Sequence, residues 1–200
     1  VIVVDDGSQD ATSALVEARA ATEPRLLLVR LPLNRGKGAA VREGVLRARG
    51  ERVLFMDADL ATPIEEIDAL EAALARGAHI AVGSRAQPGA RIQVRQHILR
   101  ETLGKGFNVL VRALFGGPVR DTQCGFKLFT AEAARTLFAG ATIDRFAFDV
   151  EILLLARGRY RVDEVPVRWR HVEESRVSPF VDAPAMARDL VRLWLRRIGR

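Results

Sequence analysis

The chain has 200 residues, 48% of them hydrophobic and 28% charged, which is one ordinary domain with enough apolar side chain for a real core and excludes a disordered chain. The net charge is +6 and the pI about 10.5, a balance that favours phosphate-bearing partners. The single cysteine, Cys124, excludes an internal disulfide framework and suits a reducing compartment.

The first hundred residues alternate short apolar runs with helical segments. Residues 1–4 read as a strand, 11–21 as a helix, 26–29 as a strand and 39–48 as a helix. Residues 53–56, 64–75 and 79–82 continue the series as strand, helix and strand. Such alternation predicts a Rossmann-like α/β domain, a mostly parallel sheet with helices on both faces. Thr62-Pro63-Ile64-Glu65 has the residues of a helix start, with Thr as cap and Pro at the first position. Val1 falls inside an apolar run, so the chain reads as a fragment.

The second half is less regular. Residues 83–95 are a polar loop, and 97–115 a helix with Leu99, Leu103, Phe107, Leu110 and Leu114 on one stripe. Residues 125–129 predict a strand, 148–156 a helix, and 160–169 one or two strands with Pro166 at an edge. Residues 185–198 form a last helix. Arg188, Arg192, Arg196 and Arg200 recur on one face of it, and Met186, Leu190, Leu193, Trp194 and Ile198 on another. Residues 181–200 are therefore set apart as a basic amphipathic segment that can lie in a lipid interface. Ordinary packing on the domain is the alternative.

Three acidic sites carry the chemistry. Asp5-Asp6 ends the first strand, Asp57-Ala58-Asp59 ends the third, and Asp149 and Glu151 stand in the helix at 148–156. Ligands of open parallel sheets bind outside the carboxyl ends of the strands, so Asp5/Asp6 and Asp57/Asp59 are expected to share one crevice. In an extended segment Asp57 and Asp59 point the same way and are expected to hold one divalent cation through hard oxygen ligands. Cys124 is expected to be buried rather than reactive.

The segments VVDDGSQDAT, NRGKGAAVREG, MDADLATP, VGSR, DTQCGFKLF, FAFDVEIL and EVPVRWRHVEESRVSPF resemble glycosyltransferase family 2. They are most similar to its dolichyl-phosphate β-glucosyltransferase branch, next to the polyprenyl-phosphate mannose synthases. The resemblance spans residues 1–180 and implies a catalytic domain of GT-A fold that lacks the family's first strand and helix. It implies inverting transfer of a hexose, glucose before mannose, from UDP-glucose to a polyprenyl or dolichyl phosphate at the cytoplasmic face of a membrane. GDP-mannose is the alternative donor.

The same resemblance assigns roles. Asp5, Asp6, Gly7, Ser8, Arg35, Lys37, Asp57 and Asp59 match nucleotide-sugar-binding positions, with Asp57 and Asp59 as the DXD ligands of Mg²⁺ or Mn²⁺. Arg85 matches an arginine that faces the phosphates. Gln123, Ser175 and Arg176 match the acceptor side. Asp149 and Glu151 match catalytic positions, with their use as a base left open. An alcohol acceptor needs a general base, whereas a lipid phosphate is already ionised.

A signalling receiver domain shares the acidic pair and the Asp after the third strand, but no Lys-Pro follows a later strand. The GxGxxG fingerprint fails at Gly36-Lys37-Gly38, and no Walker A sequence occurs. No nucleic-acid-binding module is recognisable, so nucleic acid is not an expected partner.

Overall fold

The computed structural model describes residues 1–94, 98–117, 119–172 and 179–198. In chain order the elements are β1 (Ile2–Asp5), α1 (Thr12–Ala20), β2 (Leu27–Arg30), α2 (Lys37–Arg47) and β3 (Arg52–Met56). A 3₁₀ turn (Ile64–Glu66) leads into α3 (Ile67–Ala75), followed by β4 (Ile80–Ser84), β5 (Arg91–Val94) and α4 (Ile98–Phe115). The rest comprises β6 (Phe126–Thr130), α5 (Ala131–Gly140), α6 (Phe148–Ala156), β7 (Val162–Pro166), β8 (Arg168–Arg170) and α7 (Pro179–Ile198).

The expected α/β class stands. Parallel pairing joins β1 to β2, β4 to β7 and β5 to β8. The central sheet has the order β3-β6-β4-β7. One strand runs counter to the rest: β6 lies between β3 and β4 and is antiparallel to both. It therefore starts where β3 ends, with Met56 opposite Phe126 and the Asp57 amide donating to the Gly125 carbonyl at 2.9 Å. This arrangement brings residues 121–125 to the carboxyl ends of β3 and β4, which parallel strands alone would not do.

Side-chain alternation along the strands divides the core between the two faces. Val53, Phe55, Ile80, Val82 and Phe129 pack with α5 and α6 on one face. Ala81, Phe126, Leu128 and Val165 pack on the other face, with Leu70 and Ala73 of α3. A third cluster joins Val111 and Phe115 of α4, Val150 of α6 and Leu190 and Leu193 of α7. That last contact splits the apolar face expected of the C-terminal helix. Leu190 and Leu193 are core residues, whereas Trp194 is exposed.

Two local expectations are corrected. Thr62 does not cap α3; it is buried, and a 3₁₀ turn without a side-chain cap precedes the helix. Residues 57–60 are a turn rather than an extended segment, with the Leu60 amide 3.3 Å from the Asp57 carbonyl oxygen and Leu60 at φ 53°. Pro166 does end an edge strand, because β7 pairs only with β4.

Candidate active site

The acids at the end of β1 build the loops around the crevice. Asp5 is only 6% exposed and faces inward, taking the Ser8 amide at 2.9 Å and the Ser13 hydroxyl. Those bonds, Ser13's first, hold its carboxyl below the usual range. Asp6 reaches across to the next unit and accepts the amides of Arg35 at 2.8 Å and Gly36 at 2.7 Å. Gly7, next in the chain, has φ 74°, and a Cβ there would stand 2.8 Å from the Asn34 nitrogen. Only glycine fits that approach.

The loop that Asp6 tethers delivers Lys37 at the start of α2. Its ammonium lies 2.8 Å from Oδ1 and 3.0 Å from Oδ2 of Asp57. Burial would lower the Lys37 pKa, but Asp57 first, then Asp149 and Asp59, hold it above its ordinary value. Asp6, Arg35, Gly36, Lys37 and Asp57 are thus linked in sequence across three βα units. Asp59 is exposed and spends one oxygen on the Ala61 amide at 3.0 Å.

Beneath this pair lies a second one. Lys127 of β6 is buried and bound to Asp149 and to the Cys124 carbonyl, the latter at 2.7 Å. Burial pushes the Asp149 carboxyl up, against the pull of Lys127 and Lys37. The Phe55 ring serves both cations, with Lys37 Nζ at 5.5 Å and Lys127 Nζ at 5.6 Å from its centre. Cys124 is buried and its thiol is pushed up to about 11 by burial, which leaves it unreactive.

Arg85 follows β4 and is held by Asp121. Nε lies 2.7 Å from Oδ2, Nη2 lies 2.8 Å from Oδ1, and the backbone amide adds a third bond at 2.9 Å. The guanidinium also stacks 5.4 Å from the Trp169 ring centre. Burial opposes the charge of Arg85, yet Asp121 keeps its pKa above the ordinary value, with a further contribution from Asp57. Gln123 donates to the Phe146 carbonyl at 3.2 Å.

Glu151 is placed elsewhere. It is 3% exposed and accepts the Thr142 amide, the Thr142 hydroxyl and the Ile143 amide at 2.9, 2.7 and 2.8 Å. None of these partners belongs to the Asp57 cluster. Ser175 and Arg176 lie outside the described residues.

The model of glycosyl transferase family 2 matches residues 1–138. The chain belongs to glycosyltransferase family 2. It is 44% identical to dolichyl-phosphate beta-glucosyltransferase of Drosophila melanogaster over 98% of this chain and 63% of that protein. It is 40% identical to the Homo sapiens protein of the same name, again over 98% of this chain and 63% of that one. The chain thus spans a little under two thirds of these relatives' length. Its fold is shared with glucosyl-3-phosphoglycerate synthase from Mycobacterium tuberculosis, solved with Mn²⁺, UDP-glucose and glycerol 3-phosphate. That likeness has a TM-score of 0.68 at 22% identity and covers 99% of this chain and 68% of that one.

Membership of family 2 sets the receiver-domain reading aside. Three side chains of the site, Lys127, Asp121 and Glu164, stand inside the family-like segments DTQCGFKLF and EVPVRWRHVEESRVSPF, which by themselves give them no role. Lys127 had a usable signal, a lysine inside the apolar run FKLF, where an unpaired charge would be costly. Glu164 holds the amides of Arg120 and Asp121 at 3.0 and 2.9 Å and so fixes the residue that grips Arg85. Nothing in the sequence marks that contact.

Proposed function

We propose that this domain transfers glucose, with inversion, from UDP-glucose to the phosphate of a polyprenyl or dolichyl lipid at the cytoplasmic face of a membrane. The observation that carries the reading is the Lys37–Asp57 ion pair at the carboxyl end of β3, with Asp59 two residues on, beside a loop tethered by Asp6. The relatives' name supports the sugar and the acceptor. Mn²⁺ and UDP-glucose in the synthase of like fold support the donor and a divalent cation.

The residues fit such a cation. Among the described residues no group of three or more His, Cys, Asp or Glu side chains gathers to hold one, so Asp57 and Asp59 would share it with the diphosphate oxygens. Two carboxylates on one turn are the hard donors that Mg²⁺ or Mn²⁺ prefers. When bound, the cation supplies charge neutralisation on the departing diphosphate. Lys37, already against Asp57, adds a second positive charge there, and Arg85, fixed by Asp121, presents a third. An ionised lipid phosphate attacks the anomeric carbon without losing a proton. Asp149, buried and engaged by Lys127, then serves to hold that lysine under the site rather than as a base.

The membrane side falls to α4 and α7. Val191, Trp194 and Leu195 of α7 and Val109 and Leu110 of α4 are exposed, and Arg112, Arg188 and Arg192 are exposed on the same two helices. Among the described residues no helix is long and apolar enough to cross a membrane, so these helices are read as lying on the surface.

The test is a panel of donors against acceptors. UDP-glucose with a polyprenyl phosphate should give product, and GDP-mannose should give little. Product from GDP-mannose alone would replace glucose by mannose in this reading. Transfer only to a soluble glycan or protein would remove the lipid acceptor.

A further inference from the structure

The loop between α5 and α6, residues 141–147, lies between the start of α2 and the C-terminal helix. On the α2 side, the Asp144 carboxylate takes Arg42 at 2.5 Å and Arg35 at 3.0 Å, and its carbonyl accepts the Ala39 amide at 3.0 Å. Gly36 and Gly38 approach the same loop closely. A Cβ on them would stand 2.7 Å from the Asp144 carbonyl oxygen and 2.5 Å from that of Ile143. On the α7 side, Ile143 packs against the cluster of Leu190 and Leu193. Arg196 donates to the Thr142 hydroxyl at 2.7 Å and lies 3.7 Å from Glu151. Glu151 fixes the Thr142 and Ile143 amides of the loop.

We propose that Arg196 is a positioning residue for the donor loop, the segment before α2 that Asp6 tethers. By holding the corner made of Thr142 and Glu151 it sets Asp144, and through Asp144 it sets Arg35, Arg42 and the first turn of α2, which carries Lys37. This inference rests on reading Lys37 and Asp57 as the donor site. The pattern of arginines every four residues assigned Arg196 to the lipid-facing charge, but its guanidinium reaches Thr142 instead. A consequence is that the seating of α7 and the order of the donor loop are coupled, and the coupling acts equally in both directions.

The test compares the wild-type chain with Arg196→Ala, Arg196→Lys and, as a control that loosens the same helix at an exposed site, Ala187→Gly. Backbone hydrogen exchange and binding of UDP with Mn²⁺ are measured for each. Arg196→Ala should speed exchange at Thr142, Ile143 and Ala39 and weaken UDP binding roughly threefold to tenfold. Arg196→Lys should restore most of both, and Ala187→Gly should change neither. Unchanged exchange at Ala39 in Arg196→Ala would overturn the inference whatever the ligand data show. An equal effect from Ala187→Gly would also overturn it, since the cause would then be general loosening of α7. Absence of UDP binding by the wild type would instead remove the donor-site reading, and the exchange data would still decide the link from Arg196 to α2.

Discussion

Gly125 lies directly under the carboxylate of Asp57. A Cβ at Gly125 would stand 2.5 Å from Oδ1 and closer still to Cγ and Oδ2. The Asp57 amide is meanwhile bonded to the Gly125 carbonyl, so the two backbones cannot part easily. The side chain must yield, and it would swing away from Lys37. Gly125→Ala is therefore expected to lower transfer by roughly tenfold or more through misplacement of one carboxylate. Its melting temperature should stay near that of the wild type. Steady-state rates and a thermal melt check this; an undiminished rate would mean that the position of Asp57 does not matter.

Asp59 offers a cleaner separation of activity from stability. It is exposed, and its one bond within the described residues is to the Ala61 amide. Asn keeps that acceptor but not the charge. Asp59→Asn is expected to abolish transfer and to change stability by no more than about 0.5 kcal/mol. Denaturant unfolding measures the second quantity. Activity that survives both the substitution and a chelator would sink the metal assignment.

The legible and illegible parts of the molecule differ for physical reasons. Strands and helices of the first half follow from apolar runs and their spacing, and Asp5, Asp6, Asp57 and Asp59 stand where strands end. The direction of β6 does not follow, because FKLFT is equally apolar whichever way it runs, and its partners lie about 45 to 78 residues upstream. Helix α5 had a local signal in Thr130, whose hydroxyl accepts the Ala133 amide, with Glu132 in the first turn. Periodicity alone does not bring it out. Side-chain direction was the least legible of all. Asp5 turns inward to Ser13, Asp6 turns to the next loop, and Glu151 serves the 142–143 corner, directions that a place at a strand end or in a helix does not fix.

Asp121 gives a prediction in pH. Burial would raise its carboxyl pKa, but the charge and hydrogen bonds of Arg85 hold it below the usual value of 3.8. A depressed folded-state pKa contributes stability that is present above the unfolded value and is lost as pH falls through the folded one. Asp121→Asn should therefore cost about 2–3 kcal/mol at pH 7, because Arg85 loses its partner. The deficit should begin to shrink below about pH 4, where the carboxyl of the unfolded chain takes up its proton while the folded one is still charged, and go on shrinking until pH falls through the lower folded value. Urea unfolding at several pH values measures it. A deficit constant with pH would assign the cost to packing rather than to charge.

The acceptor and the membrane are tested together. Trp194, Val191 and Leu195 are exposed on α7, whereas its neighbours Leu190 and Leu193 are fixed in the core. The helix is thus held on the domain by one stripe and presents the other outward, with Arg188 and Arg192 exposed alongside. Each arginine near an anionic surface adds on the order of 1 kcal/mol of attraction, and this part weakens as salt screens it. The protein should sediment with anionic vesicles at low salt and be released as salt rises. Trp194→Ala should reduce the fraction bound at every salt concentration, because apolar insertion is not screened. Core packing through Leu190 and Leu193 should leave its melting temperature unchanged. On such vesicles a polyprenyl phosphate should accept glucose and the matching polyprenol should not, since only the phosphate is a nucleophile without a base. Preference for the neutral polyprenol would require a general base and return Asp149 to that role. Binding to neutral and anionic vesicles alike would leave the exposed arginines without a part in docking.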